Sequence, residues 1–296
     1  METSLPRPIV VGVDGSESSA RAVRWAALEA TRVGAPLQLV SAWQTPVTTS
    51  WATLSTPYID PSLFEGNAAE VVRTAKGQVT EDMGADAPPM TGATAAGPPA
   101  SALLDAAQHA SLLVVGTRGR GGLASAVLGS VSTTCAHHTP VPLVIVGADA
   151  PDPGTGGIVV GFDGSPGARA ALRWAVADAR ATGADIHVAH AWTSPIGEPF
   201  GGLPEDPELH DPTPAIERAV AETLADEPDL PPITVHVVPA PAARYLIERA
   251  KGEALLVVGS RGHGGFVGLL LGSVSQSLLH HSPCPLVIVP PPPDDA

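Results

Sequence analysis

Short apolar runs alternate with amphipathic stretches along the whole chain, and each run is bounded by glycine, proline or aspartate. Residues 9–13 (Ile-Val-Val-Gly-Val) carry no charged or polar side chain, the mark of a short strand buried on both faces. Ser16 then offers an N-cap for a helix reaching Arg32, which Gly34 terminates. Residues 37–42 form a second apolar run. The proline-rich stretch 44–66 is predicted as loop, and 67–84 as helix. A weak strand is predicted at 90–96, a helix from about Ala100, a strand at 112–115, a glycine loop leading into a helix, and a last strand at 143–146.

The same series returns further on. Ile9-Val-Val-Gly-Val-Asp-Gly-Ser16 reappears as Ile158-Val-Val-Gly-Phe-Asp-Gly-Ser165, and Trp25 and Trp43 as Trp174 and Trp192, at an offset of 149. Leu113-Val-Val-Gly-Thr-Arg-Gly119 reappears as Leu256-Val-Val-Gly-Ser-Arg-Gly262, Leu128-Gly-Ser-Val-Ser132 as Leu271-Gly-Ser-Val-Ser275, and Pro142-Leu-Val-Ile-Val146 as Pro285-Leu-Val-Ile-Val289. These lie at an offset of 143, so the second copy is six residues shorter in its middle. Its predicted strands are 186–191, 233–238, 255–258 and 286–289, with loop at 193–214 and helices at 215–226 and from Ala242. Ser165-Pro166 and Gly183 repeat the helix start and stop. A period this long exceeds the ~20–50 residues of a solenoid unit. The chain therefore reads as two tandem α/β domains, 1–147 and 158–290, joined by a linker at 148–157 and followed by a tail at 291–296. Regular β-α alternation predicts a mostly parallel, doubly wound sheet in each.

The composition narrows the function. Thirty acidic residues against 16 basic ones give a formal charge of −14 over 296 residues, which disfavours nucleic acid or an anionic membrane as main partner. Two cysteines, Cys135 and Cys284, suit a reducing compartment. No secretory signal and no apolar run of ~18 residues is readable, so a cytoplasmic location is expected.

The chemistry concentrates in two glycine loops. Gly116-Thr-Arg-Gly119 is followed after nine residues by Gly129-Ser130, and Gly259-Ser-Arg-Gly262 after nine by Gly272-Ser273. Each loop begins where a strand ends, the edge at which open α/β sheets bind ligands. Glycines permit close backbone approach to an anion, and the helix opened by Gly-Ser presents unpaired N–H groups and a favourable dipole. Arg118, Arg120 and Arg261 add charge. Glycines that merely allow a tight crossing are the alternative; recurrence of loop, spacing and Gly-Ser favours phosphate. No Lys-Ser or Lys-Thr follows the glycines as in a Walker A loop, and the motif follows the fourth strand, unlike a dinucleotide fingerprint.

On the residues 12–16 (Gly-Val-Asp-Gly-Ser), 161–165 (Gly-Phe-Asp-Gly-Ser) and the two Gly-x-x-Gly-(nine)-Gly-Ser loops, the chain resembles a tandem universal stress protein over nearly its whole length. The resemblance is to the ATP-binding members. It implies two five-stranded sheets of the adenine-nucleotide alpha-hydrolase-like type, strand order 3-2-1-4-5, and one ATP per domain, with ADP and a cyclic nucleotide as the other candidate ligands. Mg²⁺ is expected to arrive with the phosphates. By position, Gly12, Asp14, Gly161 and Asp163 end the first strands beside the adenosine, and Ala42 and Ala191 touch adenine through their backbone. The triphosphate would lie on Gly116, Thr117, Arg118, Gly119, Arg120, Gly121, Gly122, Gly129, Ser130 and Val131. In the second domain it would lie on Gly259, Ser260, Arg261, Gly262, His263, Gly264, Gly265, Gly272, Ser273 and Val274. His263 in place of Arg120 is the weaker phosphate partner near neutral pH, so unequal sites are expected. The family also implies a homodimer and pairing of the domains through their last strands.

Other residues carry less. Asp14 and Asp163 also suit a plain Asp-Gly turn. His137-His138 and His280-His281 are expected to cap helix C-termini, since adjacent helical residues do not share a face and no metal set is completed. Cys135 is expected in the core, while Cys284, between two prolines, is a candidate for exposure. The four repeated tryptophans are expected in the cores; Trp51 falls in the long loop. No Gly-x-Ser-x-Gly elbow and no catalytic base is readable. A nucleotide-dependent regulatory module in stress response or growth control is therefore favoured. A slow ATPase or phosphotransferase, and a chaperone-like protein with vestigial loops, are the alternatives.

Overall fold

Every predicted apolar run becomes a strand in the computed structural model, which describes residues 6–45, 60–117, 119, 128–147, 150–154, 156–192, 211–262 and 271–292. In the first repeat these are β1 (Ile9–Gly12), β2 (Leu37–Trp43), β3 (Met90–Ala96), β4 (Leu112–Gly116) and β5 (Leu143–Val146). The second repeat supplies β6 (Ile158–Gly161), β7 (Ile186–Trp192), β8 (Ile233–Pro239), β9 (Leu255–Gly259) and β10 (Leu286–Val289). The helices are α1 (Glu17–Val33), α2 (Pro61–Met83), α3 (Pro99–Ala107) and α4 (Ser130–His138), then α5 (Pro166–Thr182), α6 (Thr213–Thr223), α7 (Ala242–Arg249) and α8 (Ser273–His281).

Two compact units result, one of residues 1–135 and 139–141, the other of 136–138 and 142–296. The first carries strands in the order β3-β2-β1-β4, all parallel. The second carries β8-β7-β6-β9-β10, all parallel, which is the 3-2-1-4-5 order expected of a whole domain. Its sheet has one further member. β5, last strand of the first repeat by sequence, lies antiparallel to β10, with Val144 opposite Val287. Both strands read Leu-Val-Ile-Val and are fully buried, so each covers an apolar edge of the other.

The central strands are buried on both faces, with Val10, Val11, Leu113 and Val114 at 0% exposure in one unit and Val159, Val160, Leu256 and Val257 in the other. Helix ends follow their sequence signals. Ser16 Oγ accepts from Ser19 N at 3.1 Å, Ser165 Oγ accepts from Ala168 N at 3.2 Å, and Gly34 and Gly183 close α1 and α5 in the left-handed conformation. α2 starts six residues before the predicted 67. Pro61 occupies its first turn and Asp60 Oδ1 accepts from Ser62 N at 2.9 Å, so proline and aspartate here open a helix. Gly66, read as loop, sits inside it with open space where a side chain would be. Likewise α6 starts at Thr213 and stops at Thr223, earlier than the predicted 215–226.

The paired histidines end α4 and α8, and His281 Nδ1 lies 3.0 Å from the Ser277 carbonyl oxygen. Trp25 is in the core, whereas Trp43, Trp174 and Trp192 are only half-buried. Trp51 lies outside the described residues. The expectation that Cys284 is a candidate for exposure is corrected: the flanking turn tucks it inward to 4% exposure, and burial pushes its thiol up to about 12, with Glu253 adding to the rise. Burial does the same to Cys135, also to about 12. No described helix is long and apolar enough to cross a membrane.

Candidate functional site

At the carboxyl ends of β1, β2 and β4 the first unit opens into a cavity of about 540 Å³, and the ends of β6, β7 and β9 form its counterpart of about 440 Å³. Both volumes fall in the range of small-molecule sites, ~300–1,000 Å³. The strand ends bring Gly12, Asp14, Ala42, Gly116, Thr117 and Gly119 to the first wall. Gly129, Ser130 and Val131 arrive with the first turn of α4. In the second unit Gly161, Asp163, Ala191, Gly259 and Gly262 stand in the same places, Arg261 joins them, and Gly272, Ser273 and Val274 come at the start of α8. Ser260 is set behind that wall. It is 5% exposed, its N–H donates to the Val289 carbonyl at 2.9 Å, and its own carbonyl accepts from Gly272 N at 2.8 Å. Arg118, Arg120, Gly121, Gly122, His263, Gly264 and Gly265 lie outside the described residues.

The chain folds locally so that glycine is required for close approach. A β-carbon on Gly12 would stand 2.9 Å from Leu103 Cδ1 of α3, and one on Gly161 would stand 3.0 Å from Leu246 Cδ1 of α7. Gly116 abuts the first turn of α1, where a β-carbon would meet the Ser18 carbonyl oxygen at 2.6 Å. Gly259 abuts α5, where it would meet the Gly167 carbonyl carbon at 2.6 Å. These glycines let two helices press on the strand ends, and packing alone accounts for them.

Gly119 and Gly262 are different. Here the intruding atom is Oδ2 of Asp14 or Asp163, at 2.6 Å in the first unit and closer in the second. The other oxygen, Oδ1, accepts from Ser16 N at 2.9 Å or Ser165 N at 3.0 Å. Each aspartate thus makes the turn after the first strand and also reaches across to the glycine loop. The turn reading and the cavity reading describe the same side chain.

The polar end of each cavity is the helix start. Gly129 N donates to the Thr117 carbonyl at 2.7 Å, which fixes the loop to the helix. Ser132 Oγ donates to the Gly129 carbonyl at 2.9 Å, and Ser275 Oγ to the Gly259 carbonyl at 2.8 Å. Among the described residues neither helix has a side-chain cap, so the first-turn N–H groups at 130–132 and 273–275 are the orphan donors that suit an anion. Apolar side chains line the rest, Val40 and Leu103 in the first unit and Ala189 and Leu246 in the second, with Leu128 and Leu271 beside the helix starts. One end suits a flat base and the other a phosphate.

Several lining residues escaped the sequence reading. Leu103 and Leu246 share the 143-residue offset, and Ser132 and Ser275 sit inside a repeated motif, so the signal existed. Phe162 in place of Val13 and His190 in place of Ser41 are differences between copies. His190 lines the second cavity, and its Nδ1–H donates to the Phe162 carbonyl at 2.7 Å. Among the described residues no group of three or more His, Cys, Asp or Glu side chains is placed to hold a metal.

Comparison with known proteins agrees with the fold and the duplication. The model of the universal stress protein family matches residues 6–147 and 156–290. A universal stress protein of Mycolicibacterium smegmatis is 37% identical over 295 residues, covering 96% of this chain and 97% of its own. A universal stress protein of Mycobacterium tuberculosis is 32% identical over 293 residues, covering 95% and 96%. Among solved structures, a universal stress protein from Archaeoglobus fulgidus superposes with a TM-score of 0.70 at 20% identity, covering 96% of this chain and 98% of that one, a likeness of fold.

Proposed function

We propose that this chain, which belongs to the universal stress protein family, is an adenine-nucleotide-binding regulator of stress response or growth, with one ATP in each repeat. The observation that carries the reading is the recurrence, in both units, of a cavity with an apolar slot at the strand ends and an uncapped helix start facing it. Adenine suits the slot between Gly12, Ala42 and Leu103 or their counterparts Gly161, Ala191 and Leu246. The phosphates suit the first turn of α4 or α8 and the loop glycines.

The acid in each wall has a place in this reading. Asp14 and Asp163 would repel a triphosphate, so they belong on the nucleoside side, where a carboxylate accepts hydrogen bonds from amino or hydroxyl groups. Bound Mg²⁺ would be held by the phosphates themselves, because the described residues offer no carboxylate cage. Its part would be to neutralise phosphate charge in a chain of net charge −14. With no base identified among the described residues to position water, occupancy rather than turnover is the output. We place the protein in the cytoplasm, as a homodimer.

Denaturing the purified protein, identifying the released nucleotide and counting moles per chain tests the reading. About two ATP per chain is the expected result. Absence of nucleotide, with no binding of added Mg-ATP, would leave the loops as structural elements and the reading wrong.

A further inference from the structure

A third cavity, of about 270 Å³, lies in the first unit between the first turns of α1 and the middle of α2. Its lining is mixed: Val13, Val23, Val71 and Ala75 supply apolar surface, and polar groups stand on both sides. Gly15, Ser16 and Glu17 form one side, and Glu70, Thr74 and Gln78 the other. The internal repeat shows what such a groove can hold.

Ala20, which lines this groove, corresponds to Arg169 at the 149-residue offset that relates α1 to α5. Arg169 crosses from α5 to α6. Its Nε donates to the Gly164 carbonyl at 3.0 Å, and Nη1 donates to the Ala219 carbonyl at 3.2 Å and to Thr223 Oγ1 at 2.9 Å. Nη2 lies 3.5 Å from Glu222 Oε2. A guanidinium with acceptors on several sides is thus built into the second unit.

The acceptor positions persist in the first. Gly164 corresponds to Gly15. α2 faces this groove with Val71, Thr74 and Ala75, as α6 faces Arg169 with Ala219, Glu222 and Thr223. Gly15, Val71, Thr74 and Ala75 all line the groove. The backbone carbonyls of residues 15 and 71 are retained whatever the side chains. The carboxylate moves from Glu222 to Glu17 and Glu70, which now hold Arg21 at 2.8 Å and Arg73 in exposed pairs. Such pairs are weak and exchangeable.

We infer that this groove is a guanidinium-binding site: the place filled in the second unit by Arg169 is left open in the first by Ala20, to receive an external guanidinium group. A planar fork of N–H donors matches two carbonyls and a carboxylate better than the compact ammonium of lysine does. The source is either a free guanidinium compound or an arginine side chain presented by a polypeptide. The inference does not depend on nucleotide binding.

The test is an NMR titration of the full-length protein with methylguanidinium, with N-acetyl-arginine methylamide, and with N-acetyl-lysine methylamide as control. Saturable amide shifts confined to residues near Gly15, Ala20, Val71 and Thr74, with millimolar affinity and none from the lysine compound, are expected. Shifts with methylguanidinium mean that a free ion suffices; shifts only with the arginine derivative assign the site to a polypeptide. Ala20→Arg should tether the missing group, abolish the shifts and raise the thermal midpoint. Should that variant fail to fold, Arg169→Ala supplies the second arm, since it should open a matching groove that methylguanidinium refills with recovery of thermal stability. No saturable shift at tens of millimolar, or equal response to the lysine compound, overturns the inference.

Discussion

The carboxylate of Asp14 fills the space that a side chain on Gly119 would need, its Oδ2 standing 2.6 Å from where a β-carbon would be. Asp163 and Gly262 repeat the arrangement. The aspartate cannot simply swing aside, because its other oxygen holds the N–H that turns the chain into α1 or α5.

Gly119→Ala should therefore displace Asp14 and deform the cavity with little change in the core. We expect at least a ~10-fold loss of nucleotide affinity at the first site, about 1.4 kcal/mol. Calorimetric titration of the variant checks this, and the second site serves as the control within the same chain. A double cycle with Asp14→Ala should show coupling of about 0.5–3 kcal/mol.

Gly259→Ala should behave differently. Its β-carbon would meet backbone atoms of Gly167 and Ala168, which cannot rotate away. Overpacking of that kind costs about 1–3 kcal/mol. The loss should appear as a lower denaturation midpoint in nucleotide-free protein, and an unchanged midpoint would show that α5 can yield.

The two cavities should bind unequally, the first more tightly. Phe162 stands where the first unit has Val13, and the second cavity is smaller, about 440 Å³ against 540 Å³. Titrations with Gly119→Ala and Gly262→Ala, each disabling one site, should expose the difference. Matching affinities would count against it.

How much of this was legible in the sequence depends on how local the cause is. Strands such as 9–13 and 112–115 announce themselves because burial on both faces demands an unbroken apolar run. The caps at Ser16 and Ser165 were readable for the same reason. The start of α2 was not, because Asp60-Pro61 reads equally as a turn and as a helix opening, and only the packed helix decides. Ser260 shared its motif position with Thr117 yet turns away from the cavity, because its N–H is engaged by Val289, far along the chain. The groove beside Ala20 was invisible for a further reason: an alanine carries no signal until its counterpart Arg169 is seen in place.

Acid should destabilise the second unit at the other end of its sheet. His236 Nε2 lies 3.5 Å from His187 Nδ1, and burial, then Arg249 and His187, hold the His236 pKa below its ordinary value. A depressed histidine stays neutral in the folded protein while the unfolded chain takes up a proton, so stability falls as pH drops below ~6.5 and on through the folded value. Glu253 acts in the same direction lower down. Burial would raise its carboxyl, but hydrogen bonds from Arg249 and from Gly157 N bring it below the ordinary value, and that contribution is lost as pH falls through the folded value. His236→Gln should flatten the upper part of the stability–pH curve measured by urea unfolding.

Neither thiol should react in the native state. With both pKa values at about 12, the thiolate is scarce at neutral pH and the sulfurs are buried. Disulfide-exchange reagents should label both cysteines only when denaturant is added, and a rapidly titrating native thiol would contradict this.

The antiparallel pairing of β5 with β10 bears on how such a chain can be divided. By descent β5 is the closing strand of the first copy; by hydrogen bonding it is a neighbour of the last strand of the second. Cutting within 148–157, where the repeat suggests a seam, would strand one Leu-Val-Ile-Val segment on each fragment with a bare backbone edge. Fragments made that way should clump or re-pair with each other, whereas a fragment beginning at 142 would keep β10 covered by β5. The duplication can be read from the sequence, but the partner of β5 cannot: its hydrogen bonds run to the last strand of the other copy.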